Sequence, residues 1–219
     1  MSQKKQNLLF LAIVAALFVA LCISLWFRAK RLGKISYLEH LDETAVTIDG
    51  ADYPFRDLAV YLAKQERTVE EQANAYDLEN SNAYWNLHTN GSFIRIEARD
   101  AAMDQAVHDI IFSQSAAKEG IQLTKEETVF LENQKQDFWN DLEENGQERL
   151  GVSEQEVTQA FSRIALAQKY QQMLAALKGV DNVEYNVNGA NYQELLGEHD
   201  VSIHEKLWER LNFGNITIH

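Results

Sequence analysis

Asp100, Asp104 and His108 are spaced i, i+4, i+8. On a helix that spacing puts all three on one face, where two carboxylates and an imidazole could present to a divalent metal. The same spacing also describes a solvated stripe on an amphipathic helix, and no partner ligand motif accompanies it. His199 and His204 flank a predicted helix start and His219 is terminal, but the chain has neither an H-E-x-x-H pair nor a Ser/His/Asp signature. Glu70-Glu71, Glu126-Glu127 and Glu143-Glu144 fall in first turns or on polar faces, where they suit the helix dipole or solubility better than acid–base work. Asn90-Gly91-Ser92 lacks the glycine spacing and lysine of a phosphate loop. No catalytic, metal or cofactor-binding residue is assigned, no cofactor is expected, and the chain reads as a non-enzyme.

The aromatics offer binding chemistry instead. Tyr84, Trp85, Phe138, Trp139 and Trp208 are large apolar groups, several beside polar breaks. Lining an open groove, they would grip extended apolar segments of unfolded chains, where contact tolerates many sequences. Buried, they would be core. These five are the candidate client-binding residues.

The elements that would position them begin with Leu8 to Phe27, a twenty-residue run with one polar side chain, Ser24. At about 1.5 Å per residue such a helix spans about 30 Å, the hydrocarbon thickness of a bilayer. It is read as an uncleaved single-pass anchor within residues 1–34, because it is longer than a signal-peptide core and no small-residue cleavage site follows. Cys22, the only cysteine, lies inside it, so the remainder can form no disulfide. Residues 1–34 carry six of the 20 basic residues and no acids, which leaves 14 basic against 33 acidic residues beyond, a net charge of −19. That balance argues against a nucleic-acid partner. Basic residues flank both ends of the apolar run, so charge alone does not orient it.

Residues 35–43 read as a linker and 44–219 as one mainly α domain. Thr44-Ala45-Val46-Thr47-Ile48 alternates as a strand and Asp49-Gly50 is a turn signal. Pro54 suits a helix first turn, and helical periodicity follows from Phe55 to about Asn80 and from about Phe93 to Glu119. Three capping boxes, Thr124/Glu127, Ser153/Glu156 and Ser202/Glu205, predict helices near 125–145, 154–178 and 203–211. Residues 179–201 read as a loop. Asn215-Ile216-Thr217-Ile218 alternates as a final strand, expected to pair with 45–49 and so bring the two ends of the domain together.

Several of these segments together resemble a known module. A strand ending in Asp49-Gly50 leads to Tyr53-Pro54-Phe55-Arg56-Asp57 opening a helix, then a Trp-containing break and a long Ala-rich helix. Ala116-Ala117-Lys118-Glu119-Gly120-Ile121-Gln122-Leu123-Thr124-Lys125-Glu126-Glu127 follows, and Leu150-Gly151-Val152-Ser153 opens the next helix. This order resembles the N-terminal chaperone domain of SurA/PrsA-type peptidyl-prolyl isomerases over roughly 44–178, with 202–218 similar to the closing helix and strand. Relatives insert a parvulin catalytic domain where this chain has only 179–201. The resemblance therefore implies a chaperone-like helical module without isomerase activity, on the extracytoplasmic side of a bacterial membrane. Its expected partners are unfolded or exported polypeptides. The alternative is a structural adaptor of an envelope or secretion assembly that binds one folded partner, and the third reading is a prolyl isomerase. Oligomeric state is left open.

Overall fold

The computed structural model describes residues 14, 17–25, 33–76, 81–89 and 91–218. The chain divides into two compact units, Met1–Ile35 and Ser36–His219. In the first, residues 14 and 17–25 are helical with exposed side chains, and the rest of the expected anchor lies outside the described residues. Among the described residues no helix is long and apolar enough to cross a membrane.

The second unit is mainly helical with a small antiparallel sheet. Strand β1 (Thr44–Ile48) lies between β2 (Ala51–Pro54) and β5 (Val201–Ile203), antiparallel to both. Asp49 and Gly50 both take positive φ, 51° and 79°, the geometry that closes a two-residue hairpin between β1 and β2. Pro54 thus ends a strand instead of opening a helix. The expected pairing of 45–49 with 215–218 is corrected: Val46 faces Ile203 and Ile48 faces Val201. Ser202 lies in that strand, so its capping box does not form, and the helix that follows is short, α8 (Glu205–Trp208).

Helix α1 (Phe55–Tyr76) buries Leu58, Leu62, Val69 and Ala73, at i, i+4, i+11 and i+15, along one stripe of an amphipathic helix. Its first amides are satisfied from the segment expected as a linker: Phe55 N donates to Glu43 O at 3.1 Å and Arg56 N to Leu41 O at 3.0 Å. Tyr37 of that segment is buried and its hydroxyl donates to Leu150 O. Residues 36–43 therefore belong to the domain. The break at 81–92 holds a short helix, α2 (Ser81–Trp85), and a small hairpin, β3 (His88–Thr89) with β4 (Ser92–Phe93).

Helix α3 (Ile94–Lys118) packs against both α1 and α6 (Glu154–Lys178). Ala98, Ala102 and Ala106 on α3 and Ala160, Ala167 and Ala175 on α6 are buried, and such small side chains let helix axes approach. The capping boxes at Thr124 and Ser153 are both closed, starting α4 (Lys125–Asp141) and α6 where expected. The helix expected over 125–145 breaks at Leu142 and resumes as α5 (Glu143–Leu150), which ends on Gly151 at φ 68°. Residues 179–201 are not a plain loop. They form a 3-10 turn (Asn182–Tyr185) capped by the Asp181 side chain, then α7 (Ala190–Leu196).

Candidate binding groove

Three cavities lie in succession around α1, α3, α4 and α6. The first, 560 Å³, is walled by Gln105, His108 and Asp109 of α3, by Gln168 and Gln171 of α6, and by Val183 and Asn186–Gly189 of the 179–201 segment. The second, 290 Å³, shares Gln105, Asp109 and Gln168 with it and adds Tyr61, Lys64 and Thr68 of α1. The third, 350 Å³, shares Lys64 and Thr68 with the second and has Phe138 of α4 and Phe161 of α6 as its apolar floor. Their rings are tilted with centroids 5.4 Å apart. The shared residues join the three into one groove with a polar, amide-rich course and an apolar end.

Helical spacing places the lining. Tyr61, Lys64 and Thr68 follow one another at i, i+3, i+7 on α1, and Gln105 and Asp109 at i, i+4 on α3. The far wall depends on hydrogen bonds from the buried Gln171 side chain. Gln171 Nε2 donates to Asn182 O at 2.9 Å and to Asn186 Oδ1 at 2.6 Å, tying 182–186 to α6. Gly189 sits so close to the carbonyl of Glu184 that a Cβ there would lie 2.2 Å from its oxygen.

The deepest polar pair is His108 and Asp109, both buried. His108 Nδ1 lies 2.8 Å from Asp109 Oδ1, and its Nε2 lies 2.9 Å from Tyr185 O. Both ring nitrogens thus face oxygen atoms. Phe112 and Tyr192 enclose the ring, with centroids at 4.4 and 4.8 Å. Gln105 Nε2 also donates to Asp109 Oδ1. Burial pushes the pKa of the Tyr61 hydroxyl well up, the neighbouring Asp109 adds to the rise, and Arg163 opposes it. Burial pushes the Lys64 pKa down, and Asp109 opposes that fall.

The groove is not the set of residues the sequence singled out. Asp100, Asp104 and His108 do not form a metal site: His108 turns into the core, while Asp100 Oδ1 accepts from Arg99 Nε and Trp208 Nε1. Among the described residues no cluster of His, Cys, Asp or Glu could hold a metal ion. Asp104 stays apart, its pKa raised by burial and by Asp100.

The five candidate aromatics do not assemble into a surface either. Trp85 is buried against Phe213 and donates to Glu70 Oε2, and Trp208 is buried and stacked on Phe55. Tyr84 and Trp139 are half-buried, and Tyr84 donates to Gln72. Phe138 alone lines the groove. The residues that sequence reasoning missed, Tyr61, Lys64, Gln105, Gln168 and Gln171, belong to no motif. Their one signal is repeated glutamine beside the apolar stripes of α3 and α6.

No family model, curated protein or solved structure matches this chain.

Proposed function

We propose that this chain is a chaperone-like polypeptide-binding module that holds unfolded or exported chains without isomerising their prolines. In this reading Leu8–Phe27 anchors it in a membrane and the domain works on the extracytoplasmic side. The observation that carries the reading is the groove. Its amide side chains, Gln105, Gln168, Asn186 and Asn188, offer donors and acceptors that pair with the backbone of any extended peptide. Phe138 and Phe161 offer an apolar floor for one side chain at a time. Backbone pairing with a single adaptable pocket gives binding that tolerates many sequences. Capture needs no nucleotide and is reversible. The resemblance of 44–178 to SurA/PrsA-type chaperone domains supports the same class of partner, and the net charge of −19 beyond residue 34 keeps a loaded holdase soluble.

The test is suppression of aggregation of an unrelated unfolded protein by the full chain at near-stoichiometric ratios, at low and raised salt. Suppression that survives raised salt is expected, because contacts in the groove are short-range and charge steering is screened. No suppression at any ratio would contradict the reading.

A second reading, an adaptor for one folded partner, draws on Val129 and Phe130. These neighbours on α4 are 62% and 64% exposed. That reading expects one saturable partner and no affinity for generic unfolded chains.

A further inference from the structure

Strand β5 is an open sheet edge. β1 covers one side of it: Asp49 N donates to Asp200 O at 2.8 Å and His204 N to Ala45 O at 2.9 Å. Backbone groups alternate in direction along an antiparallel strand, so Asp200, Ser202 and His204 turn theirs toward β1, and Val201 and Ile203 turn theirs outward. Among the described residues no hydrogen bond reaches Val201 or Ile203 from that outer side. The opposite edge is defended, since β2 ends on Pro54, carries Asp52, and pairs irregularly with β1 between Thr44 and Val46. β5 holds no proline, no charge and no bulge. An undefended edge strand is a template for one more strand.

The side chains along this edge are complementary to themselves. Val201 and Ile203 pack on the core from one face, and Asp200, Ser202 and His204 stand exposed on the other. A second β5 laid antiparallel about a two-fold axis at Ser202 sets Val201 against the copy's Ile203, so that outward amides and carbonyls meet. Ser202 then faces Ser202 of the copy, and Asp200 faces the copy's His204. Neither Asp200 nor His204 makes a side-chain hydrogen bond or ion pair among the described residues. We propose that β5 pairs edge to edge with β5 of a second copy of this chain, joining the two sheets into one. Apolar pairs lie on the core face, small hydroxyls meet at the axis, and an Asp–His pair of opposite charge flanks them on each side. Slipping the copy along the edge separates Asp200 from His204, so charge fixes the register. This pairing is independent of the polypeptide groove.

The test is disulfide trapping in the full chain, in mild detergent, with Cys22→Ser as background so that an introduced thiol stands alone. At a non-hydrogen-bonded antiparallel pair the Cα atoms lie about 4.5 Å apart, within reach of a disulfide. Ser202→Cys is therefore expected to give a covalent dimer under mild oxidation. Glu198→Cys, exposed but remote from its own copy in this register, is expected to give none. Ser202→Lys sets two lysines face to face across the axis. It is expected to weaken self-association at least about fivefold in sedimentation, with the unfolding midpoint unchanged. Asp200→Lys should weaken it too, and adding His204→Asp should restore it, which a loss of folding would not do. Equal trapping at 198 and 202, or self-association indifferent to Ser202→Lys, would overturn the edge pairing. Failure of Ser202→Cys to self-link would overturn it as well, and protection of 201–203 from amide exchange by an added extended peptide would then assign the edge to a foreign strand.

Discussion

The carboxylate of Glu66, fully buried on α1, receives both the amide and the hydroxyl of Thr217, at 2.7 and 2.9 Å on Oε2. Its other oxygen accepts the amides of Gly214 and Ile216 at 2.6 and 2.9 Å. One side chain thus takes four donors from a segment about 150 residues further along the chain and folds that segment around itself. Glu66→Gln leaves one acceptor oxygen where two accept now, and turns an N–H toward donors. It is expected to lower stability by about 1–3 kcal/mol, read as a lower urea midpoint at unchanged slope. An unchanged midpoint would show that Glu66 does not hold the C-terminal segment.

The alternation of Asn215-Ile216-Thr217-Ile218 looks like a strand, and nothing local says otherwise. What decides its conformation is an acid on α1 whose four hydrogen bonds outcompete a ladder. Helix starts were legible for the opposite reason. Thr124 and Ser153 find their capping partners three residues away, so sequence and structure agree at both. The Asp49-Gly50 turn was readable, but not that it feeds β2 and that β1 then pairs with β5 on its other edge. His108 was misread because α3 has one apolar stripe in sequence. In the fold the 182–192 segment covers a second side of that helix, and Tyr185 and Tyr192 bury the ring. Trp85 and Trp208 are core for a similar reason, since Phe213 and Phe55 reach them from distant parts of the chain.

His108 and Asp109 are expected to behave as one unit. His108→Ala leaves a buried carboxylate without its partner and should cost about 3–5 kcal/mol. Asp109→Asn added to it should cost much less than the sum of the two single changes. Additive costs in a double-mutant cycle would contradict the pairing.

Gly189 fixes the far wall of the groove. Its φ of −73° is ordinary, so the constraint is space: a Cβ would meet Glu184 O at 2.2 Å and Val183 O at 2.5 Å. Gly189→Ala is expected to lose about 1–3 kcal/mol and to speed amide exchange across 182–189. Gly197→Ala, whose Cβ would stand 3.3 Å from Glu194 O, serves as the milder control. Equal effects at the two sites would remove the close approach as the cause.

Asp49 links the β1–β2 turn to the segment entering β5. It accepts from His199 Nδ1 at 2.7 Å and from the Asp200 amide at 3.0 Å. The His199 hydrogen bond, then that of Asp200, holds its pKa below the usual value. A lowered folded pKa means a contribution present above the unfolded value of about 3.9 and lost as pH falls through the folded one. The Asp49 carboxyl should therefore titrate below 3.9 by NMR, and His199→Ala should move it upward. No movement in that variant would contradict the assignment.

Hydrogen exchange of the full chain, with and without a permanently unfolded, reduced and alkylated protein, tests the groove most directly. The account predicts added protection concentrated in α1 around Lys64, in α3 around Gln105, in α6 around Gln168, and across 182–189. Protection confined to α4 around Val129 and Phe130, or no protection at saturating client, would contradict it.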